Sequence, residues 1–315
     1  MTKRRILLTG GSGLLATNWA CAMRNEWDVV LGTHLHPVKL DGVTCCQLDL
    51  VDEARLQAQI SQMAPDLIVH TAGLTDVDRC EADPRLATLV NAQLAGNVAT
   101  IAGRTGCKLI HISTDHLFAG DRGLRTESDM PCPLNEYARS KLLGESLVQA
   151  ICPGALVVRT NFFGWGHAGR LSFSDWILAS LRAGKDITLF DDVHFTPILA
   201  DTLALTAHKL AEGGESGIFN ITGDERVSKY EFGQRLAERF ELPVDLIRRS
   251  QMGLAHLRAT RPGDMSLANA KTRNCLGEPL GSLDSFFAAL HRQERQGRRA
   301  ELLAAVGEAS GLDSR

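Results

Sequence analysis

Short apolar runs alternate with longer stretches in which apolar residues recur every three or four positions. "RRILLTGG" (4–11), "DVVLGT" (28–33), "VTCCQLDL" (43–50), "DLIVHTAG" (66–73), "KLIHIST" (108–114) and "ALVVRT" (155–160) are brief apolar runs bounded by turn residues, and each predicts a strand. Between them, "LATNWACAMRNEW" (15–27), "VDEARLQAQISQM" (51–63) and "PRLATLVNAQLAGNVATIAGRTG" (84–106) have helical spacing, the last stopping at a glycine. A further helix containing "EYARSKLLGE" (136–145) falls between the fifth and sixth strands, and Leu143 and Leu147 are expected to pack it on the sheet. Strands that alternate with helices predict a parallel sheet covered on both faces.

After about Asn161 the alternation fades. "LSFSDWILASLRAG" and "SKYEFGQRLAERF" predict amphipathic helices, and "GIFNITG" predicts one strand returning to the sheet. The charged tail from Gln293 predicts a terminal helix. The expected division is a nucleotide-binding unit of residues 1–161 and 197–223, with a smaller C-terminal mixed unit of 162–196 and 224–315.

Composition adds exclusions. The 315 residues are 44% hydrophobic and 23% charged, with a net charge of −3. That balance gives no reason to expect nucleic acid or an anionic membrane as partner. No apolar run approaches the roughly 18 residues of a membrane span. The basic start is interrupted by Thr-Gly-Gly-Ser-Gly too early for a signal core, so a cytoplasmic location is expected. The eight cysteines form no C-x-x-C pair and are read as reduced thiols, and no metal motif is present.

"TGGSGLLA" lies between the first strand and first helix, with Gly10, Gly13 and Ala16 at the three small-residue positions of a dinucleotide fingerprint. Small residues there let the backbone turn tightly and approach a pyrophosphate, which the helix start then favours electrostatically. At the end of the second strand, an acid would hold a ribose 2′-hydroxyl and repel a 2′-phosphate. No acid occurs between Asp28 and Asp41; Thr33, His34, His36 and Lys39 stand there instead. This favours NADP and leaves NAD open; His34 and His36 can also be read as plain loop histidines.

With the glycine turn, "HTAGLTDVDRCEADP", "HISTDHLFAG" and "YARSK" in order, the chain resembles the extended short-chain dehydrogenase/reductase superfamily. Within it, the likeness is to the dTDP-4-dehydrorhamnose reductase family, from about Ile6 to Leu276. The resemblance implies a Rossmann-type doubly wound α/β sheet with a smaller C-terminal mixed substrate-binding domain. It implies that Gly10, Ser12, Gly13, Leu14 and Leu15 bind the cofactor pyrophosphate; Thr33 and His34, at the end of the second strand, are the residues read there as cofactor-binding. Asp49 and Leu50 would border the adenine, while Thr71, Ala72 and Gly73 would line the nicotinamide-side ribose. Thr114, Tyr137 and Lys141 would be catalytic, with Asp115 beside them. Thr75, Thr114, Asn161, Trp165 and Arg261 would meet a nucleotide-sugar substrate, and a homodimer is left open. Where the family motif reads S-T-D-Y-x-F, this chain has His116 in place of the tyrosine.

The implied reaction is transfer of a hydride from NADPH to the 4-keto group of a nucleotide-linked 6-deoxy sugar. A tyrosine near its ordinary pKa of about 10 is a weak acid at neutral pH, and a lysine four places on shares its helix face and can pull that value down. Lys141 would also hold the ribose hydroxyls of the cofactor, and Thr114 would donate to the carbonyl oxygen. Two alternatives remain: a dehydratase or epimerase on the same fold, and a regulatory subunit like the β subunit of methionine adenosyltransferase. His116 follows Asp115 where dehydratases carry a second acid, which argues against elimination.

Overall fold

The computed structural model describes residues 3–167, 169–255 and 258–305. Its first half runs β1 (Arg5–Thr9), α1 (Leu14–Met23), β2 (Asp28–Thr33), β3 (Val43–Gln47), α2 (Glu53–Met63) and β4 (Leu67–His70). Then come α3 (Val77–Ala82), α4 (Pro84–Thr88), a π-helical turn (Leu89–Gln93), α5 (Leu94–Thr105), β5 (Lys108–Ile112), α6 (Glu136–Ile151) and β6 (Leu156–Arg159). The second half begins β7 (Phe162–Phe163), α7 (Phe173–Arg182), β8 (Ile187–Phe190), β9 (His194–Phe195), β10 (Ile198–Leu199), α8 (Ala200–Glu212) and β11 (Gly217–Asn220). It ends β12 (Val227–Ser228), α9 (Lys229–Arg239), β13 (Ile247–Ser250), α10 (Ala270–Leu276), α11 (Leu283–Arg295) and α12 (Arg298–Ala305). Of the expected tail, residues 306–315 lie outside the described residues. Among the described residues, no helix is long and apolar enough to cross a membrane.

Seven parallel strands form the main sheet in the order β11-β6-β5-β4-β1-β2-β3, so "GIFNITG" does return to it. Alternate residues of each strand face opposite layers. Ile6, Leu8, Val29, Leu31, Val69 and Val158 point to the layer that holds α1 and α8. Leu7, Val30, Ile68, Leu109 and Val157 point to the layer of α2, α5 and α6. The strand order reverses between β1 and β4, and a crevice for ligands opens at the carboxyl ends of strands at such a point. The second half contributes three two-stranded pairs, β7 with β10, β8 with β13 and β9 with β12.

Two local features set the position of α6. The helix seen as continuous over 84–106 contains a π-helical turn, and π-turns often mark functional positions. Its Asn91 accepts from the Leu74 amide (2.8 Å), donates to the Leu74 carbonyl (3.0 Å) and donates to Ser140 Oγ on α6 (3.0 Å). Gly144 faces the same turn, where a Cβ would come within 2.3 Å of the Asn91 carbonyl oxygen. The packing expectation for Leu143 is corrected: its side chain is exposed, and Ala138, Gly144 and Val148 make the buried face. Helical periodicity places Leu143 one position off that face, and the close approach at Gly144 leaves no room for a larger residue.

Candidate active site

Chain reversal after β1 puts Gly10 in the left-handed region (φ 66°), and a Cβ there would sit 2.7 Å from Ala72 Cα. Gly10 therefore lets the turn after β1 and the turn after β4 touch. Gly13 caps α1 with no side-chain acceptor for the first N–H groups, so these face the crevice unpaired. A cavity of about 850 Å³ runs from this turn to α6; Gly10, Ser12, Gly13, Leu14 and Leu15 line one end. Thr71, Ala72, Gly73 and Thr75 line the middle, and Thr114, Asp115, Tyr137 and Asn161 the other end. Residues expected from distant parts of the chain thus share one crevice. Its volume, the open helix start and the Cβ-free cradle at Gly10 fit a dinucleotide.

Asn135 caps α6 by accepting from the Ala138 amide (2.9 Å), and this aims Tyr137 at the end of β5. Tyr137 is 8% exposed. Burial pushes its pKa well above the usual value, partly offset by hydrogen bonding with Thr114, and the nearby carboxyl of Asp115 raises it further. The expected lowering by Lys141 is not what the structure shows. Lys141 lies beneath the cavity and donates from Nζ to the Ile112 carbonyl at 2.6 Å. Its own pKa is pushed down to about 8 by burial, with Glu145 opposing. Burial therefore favours the neutral phenol, whose O–H can donate into the crevice.

Asp115 is buried; burial raises its pKa while His116, the Asn161 amide and Lys229 pull it down. Asn161 Nδ2 donates to its Oδ2 at 2.6 Å, and His116 Nε2 lies 4.0 Å from its Oδ1. The His116 ring stands edge-on to Tyr137, with centroids 5.5 Å apart. The residue that departs from the family motif therefore forms a wall of the reaction site.

Other placements differ from expectation. Trp165 does not touch the cavity: it is fully buried, packs edge-on to Phe240 and lies under Arg299. Its position two residues beyond β7 turns the indole into the core. Thr33 is also buried, its hydroxyl donating to the Cys46 carbonyl (3.3 Å), so it is occupied within the sheet edge. His34 is exposed and near Asp49, whose carboxyl is held below the usual range chiefly by the Val51 amide. Leu50 is partly buried, and its carbonyl accepts from Asn97 (2.9 Å). Thr33, His34, Asp49 and Leu50 do not line the crevice, whereas His36 does. Arg261 lies in a second, adjoining lobe and pairs with Asp78 (3.0 Å).

Several lining residues were not foreseen. His167 and Arg170 come from the segment between β7 and α7 and Phe173 from the start of α7, and Arg170 donates to Thr75 Oγ1. Phe162 follows Asn161 into the cavity. Arg159 and Glu145 form a buried ion pair (2.7 Å) where β6 meets α6. Only the "NFFGWGHAGRLSF" stretch hinted at the first group, through its glycines beside aromatics.

A family model described as the RmlD substrate binding domain matches residues 4–291. A "Probable low-salt glycan biosynthesis reductase" of Haloferax volcanii is 32% identical over 288 residues, covering 90% of this chain and 96% of the relative. Methionine adenosyltransferase 2 subunit beta of Xenopus laevis is 31% identical over 254 residues, covering 78% and 75%. Among solved structures, dTDP-4-dehydrorhamnose reductase of Bacillus anthracis in complex with NADP superposes with a TM-score of 0.84 at 24% identity, covering 93% of this chain and all of that one.

Proposed function

This chain belongs to the RmlD substrate binding domain family, and on that premise we propose that it is an NADPH-dependent reductase of the 4-keto group of a nucleotide-linked 6-deoxy sugar. Membership places it among the NAD(P)-dependent oxidoreductases of the extended short-chain type. The observation that carries the proposal is the meeting of Tyr137 and Thr114 with the open glycine turn in one crevice.

In this reading, residues 1–161 and 197–223 bind the cofactor and the remainder shapes the substrate site. Gly10, Ser12 and Gly13 hold the pyrophosphate, and Thr71 to Gly73 support the nicotinamide-side ribose. The bound dinucleotide supplies the hydride. Tyr137 gives its proton to the carbonyl oxygen as charge develops there, and the Thr114 hydroxyl holds that oxygen in place. Lys141, whose Nζ donates to the Ile112 carbonyl, ties α6 to the end of β5 and so fixes Tyr137 beside Thr114. Asn161 fixes Asp115, which in turn faces His116; together they shape the wall against which the sugar ring rests. The absence of an acid after β2, and the presence of His36 at the crevice, favour a 2′-phosphate.

A regulatory-subunit reading draws on the similarity to methionine adenosyltransferase 2 subunit beta. The buried Tyr137 and Thr114, set at the end of the crevice that begins at the glycine turn, favour catalysis over it. The test is NADPH oxidation, followed by absorbance, with a panel of nucleotide-linked 4-keto sugars. Turnover on a 6-deoxy member is expected. Absence of turnover across the panel, with unperturbed NADPH binding, contradicts the proposal.

A further inference from the structure

The second lobe adjoins the reaction site and shares His116, Val77 and Phe173 with it. It holds about 390 Å³, and Trp176, Phe190 and Met252 give it apolar walls. Trp176 is 40% exposed there, a large aromatic surface left open beside a cleft. Two cations also line the lobe. Arg261 is paired with Asp78. Lys229 is not: its ammonium has no hydrogen bond or ion pair among the described residues. It rests on aromatic faces, 3.4 Å from the Phe195 centroid and 4.9 Å from that of Phe173.

A partly buried ammonium without a carboxylate is costly to hold, and ring faces recover only part of its lost hydration. Asp115 is the carboxylate in electrostatic reach, but its two oxygens face Asn161 and His116. Lys229 sits at the start of α9, where the Ser228 cap fixes the backbone and directs the stem into the lobe. The charge therefore faces the lobe without an anion to meet it.

We propose that Lys229 is the anion-binding residue of this lobe, receiving an oxygen of the diphosphate of a nucleotide-linked ligand while the base lies against Trp176. This rests on the reading that the crevice takes a nucleotide-linked sugar. A diphosphate suits the lobe better than a single carboxylate, because two cations line it and Arg261 keeps N–H donors beyond the one given to Asp78. The sugar would then extend past His116 to Tyr137, which the shared wall allows.

The test is titration calorimetry on the full chain with UDP and dTDP, with their nucleosides, and with inorganic pyrophosphate. Lys229→Met is expected to weaken nucleoside diphosphate binding by about tenfold to a hundredfold, the loss of one charge-assisted hydrogen bond. Nucleoside binding and NADPH binding should change less than about twofold, and Lys229→Arg should retain most of the affinity. The melting temperature of Lys229→Met should hold or rise, since an unpaired charge has been removed. Equal nucleoside diphosphate affinity in wild type and Lys229→Met overturns the inference, as does no binding to wild type. A parallel loss of nucleoside affinity with a fallen melting temperature, which marks a structural role, also overturns it. Pyrophosphate bound as tightly as UDP or dTDP overturns the nucleotide source. No turnover is read, so a chain inactive on every keto sugar can still meet these expectations; the reductase reading alone would then fall.

Discussion

Around Tyr137 the supporting groups Lys141, Asn135 and Asn91 are engaged and held by regular elements; around Lys229 the charge rests on aromatic rings, with no ion pair among the described residues. Lys141 donates to Ile112, Asn135 caps α6, and Asn91 ties that helix to the loop after β4. The second lobe is assembled from α7, short strand pairs and loops, and its Lys229 ammonium has no ion-pair partner among the described residues. The difference follows from what each end must do. A proton donor has to be fixed before the ligand arrives, because misplacement costs rate directly. A binding subsite can leave a charge uncompensated, because the ligand brings the counter-charge.

The comparison breaks most visibly at Tyr137. Tyr137→Phe removes the proton donor and leaves the packing, so single-turnover reduction should slow by about 10³- to 10⁴-fold. Its NADPH affinity should stay within twofold of wild type. The next largest effect concerns the support beneath α6. Glu145→Ala strands the buried Arg159 guanidinium, and urea unfolding should show a loss of about 3–5 kcal/mol. Gly144→Ala forces a methyl against the Asn91 carbonyl and should cost about 1–3 kcal/mol, with turnover falling as Tyr137 is displaced.

The smallest effect sharpens the other side. Lys229, like Lys141, has a folded pKa of about 8, below its ordinary value of 10.5, because burial disfavours the cation. The sign follows: below about pH 8 both folded and unfolded chains carry the proton, and the folded state bears the full penalty. As pH rises from about 8 to 10.5 the folded state gives up the proton first, and the penalty is relieved. Lys229→Met should therefore be more stable than wild type by on the order of 1–3 kcal/mol at pH 7. That advantage should shrink by pH 10, measured by urea unfolding at both values. A gap that does not change with pH would show that Lys229 is not held as a strained cation.

The two ends also differ in how far the sequence revealed them. Strand and helix periods report burial, and β1 to β6 and β11 emerge from them with small boundary shifts. Gly10 was readable because it directly follows a strand, and Tyr137 because Lys141 stands four places on and the family resemblance covers both. Periodicity does not say what a buried group meets. Trp165 and a cavity aromatic such as Phe162 lie three residues apart in one run, and only the turn after β7 separates core from cleft. The π-turn was invisible because Asn91 satisfies distant groups, Leu74 and Ser140, rather than its own neighbours. Lys229 reads in sequence as the first residue of an ordinary amphipathic helix. Its charge becomes meaningful only when β9 places Phe195 beneath it. Family resemblance singled out Arg261, which lines the second lobe, but not its partner Asp78.

The central claim is that hydride reaches a ketone held at Tyr137. Incubation with NADPH deuterated at the transferred C4 position and a nucleotide-linked 4-keto-6-deoxy sugar tests it, with mass spectrometry of the product. One deuterium per sugar, matched by one oxidised cofactor and abolished in Tyr137→Phe, is the predicted result. Product without deuterium, or conversion of the sugar with no net cofactor oxidation, contradicts it.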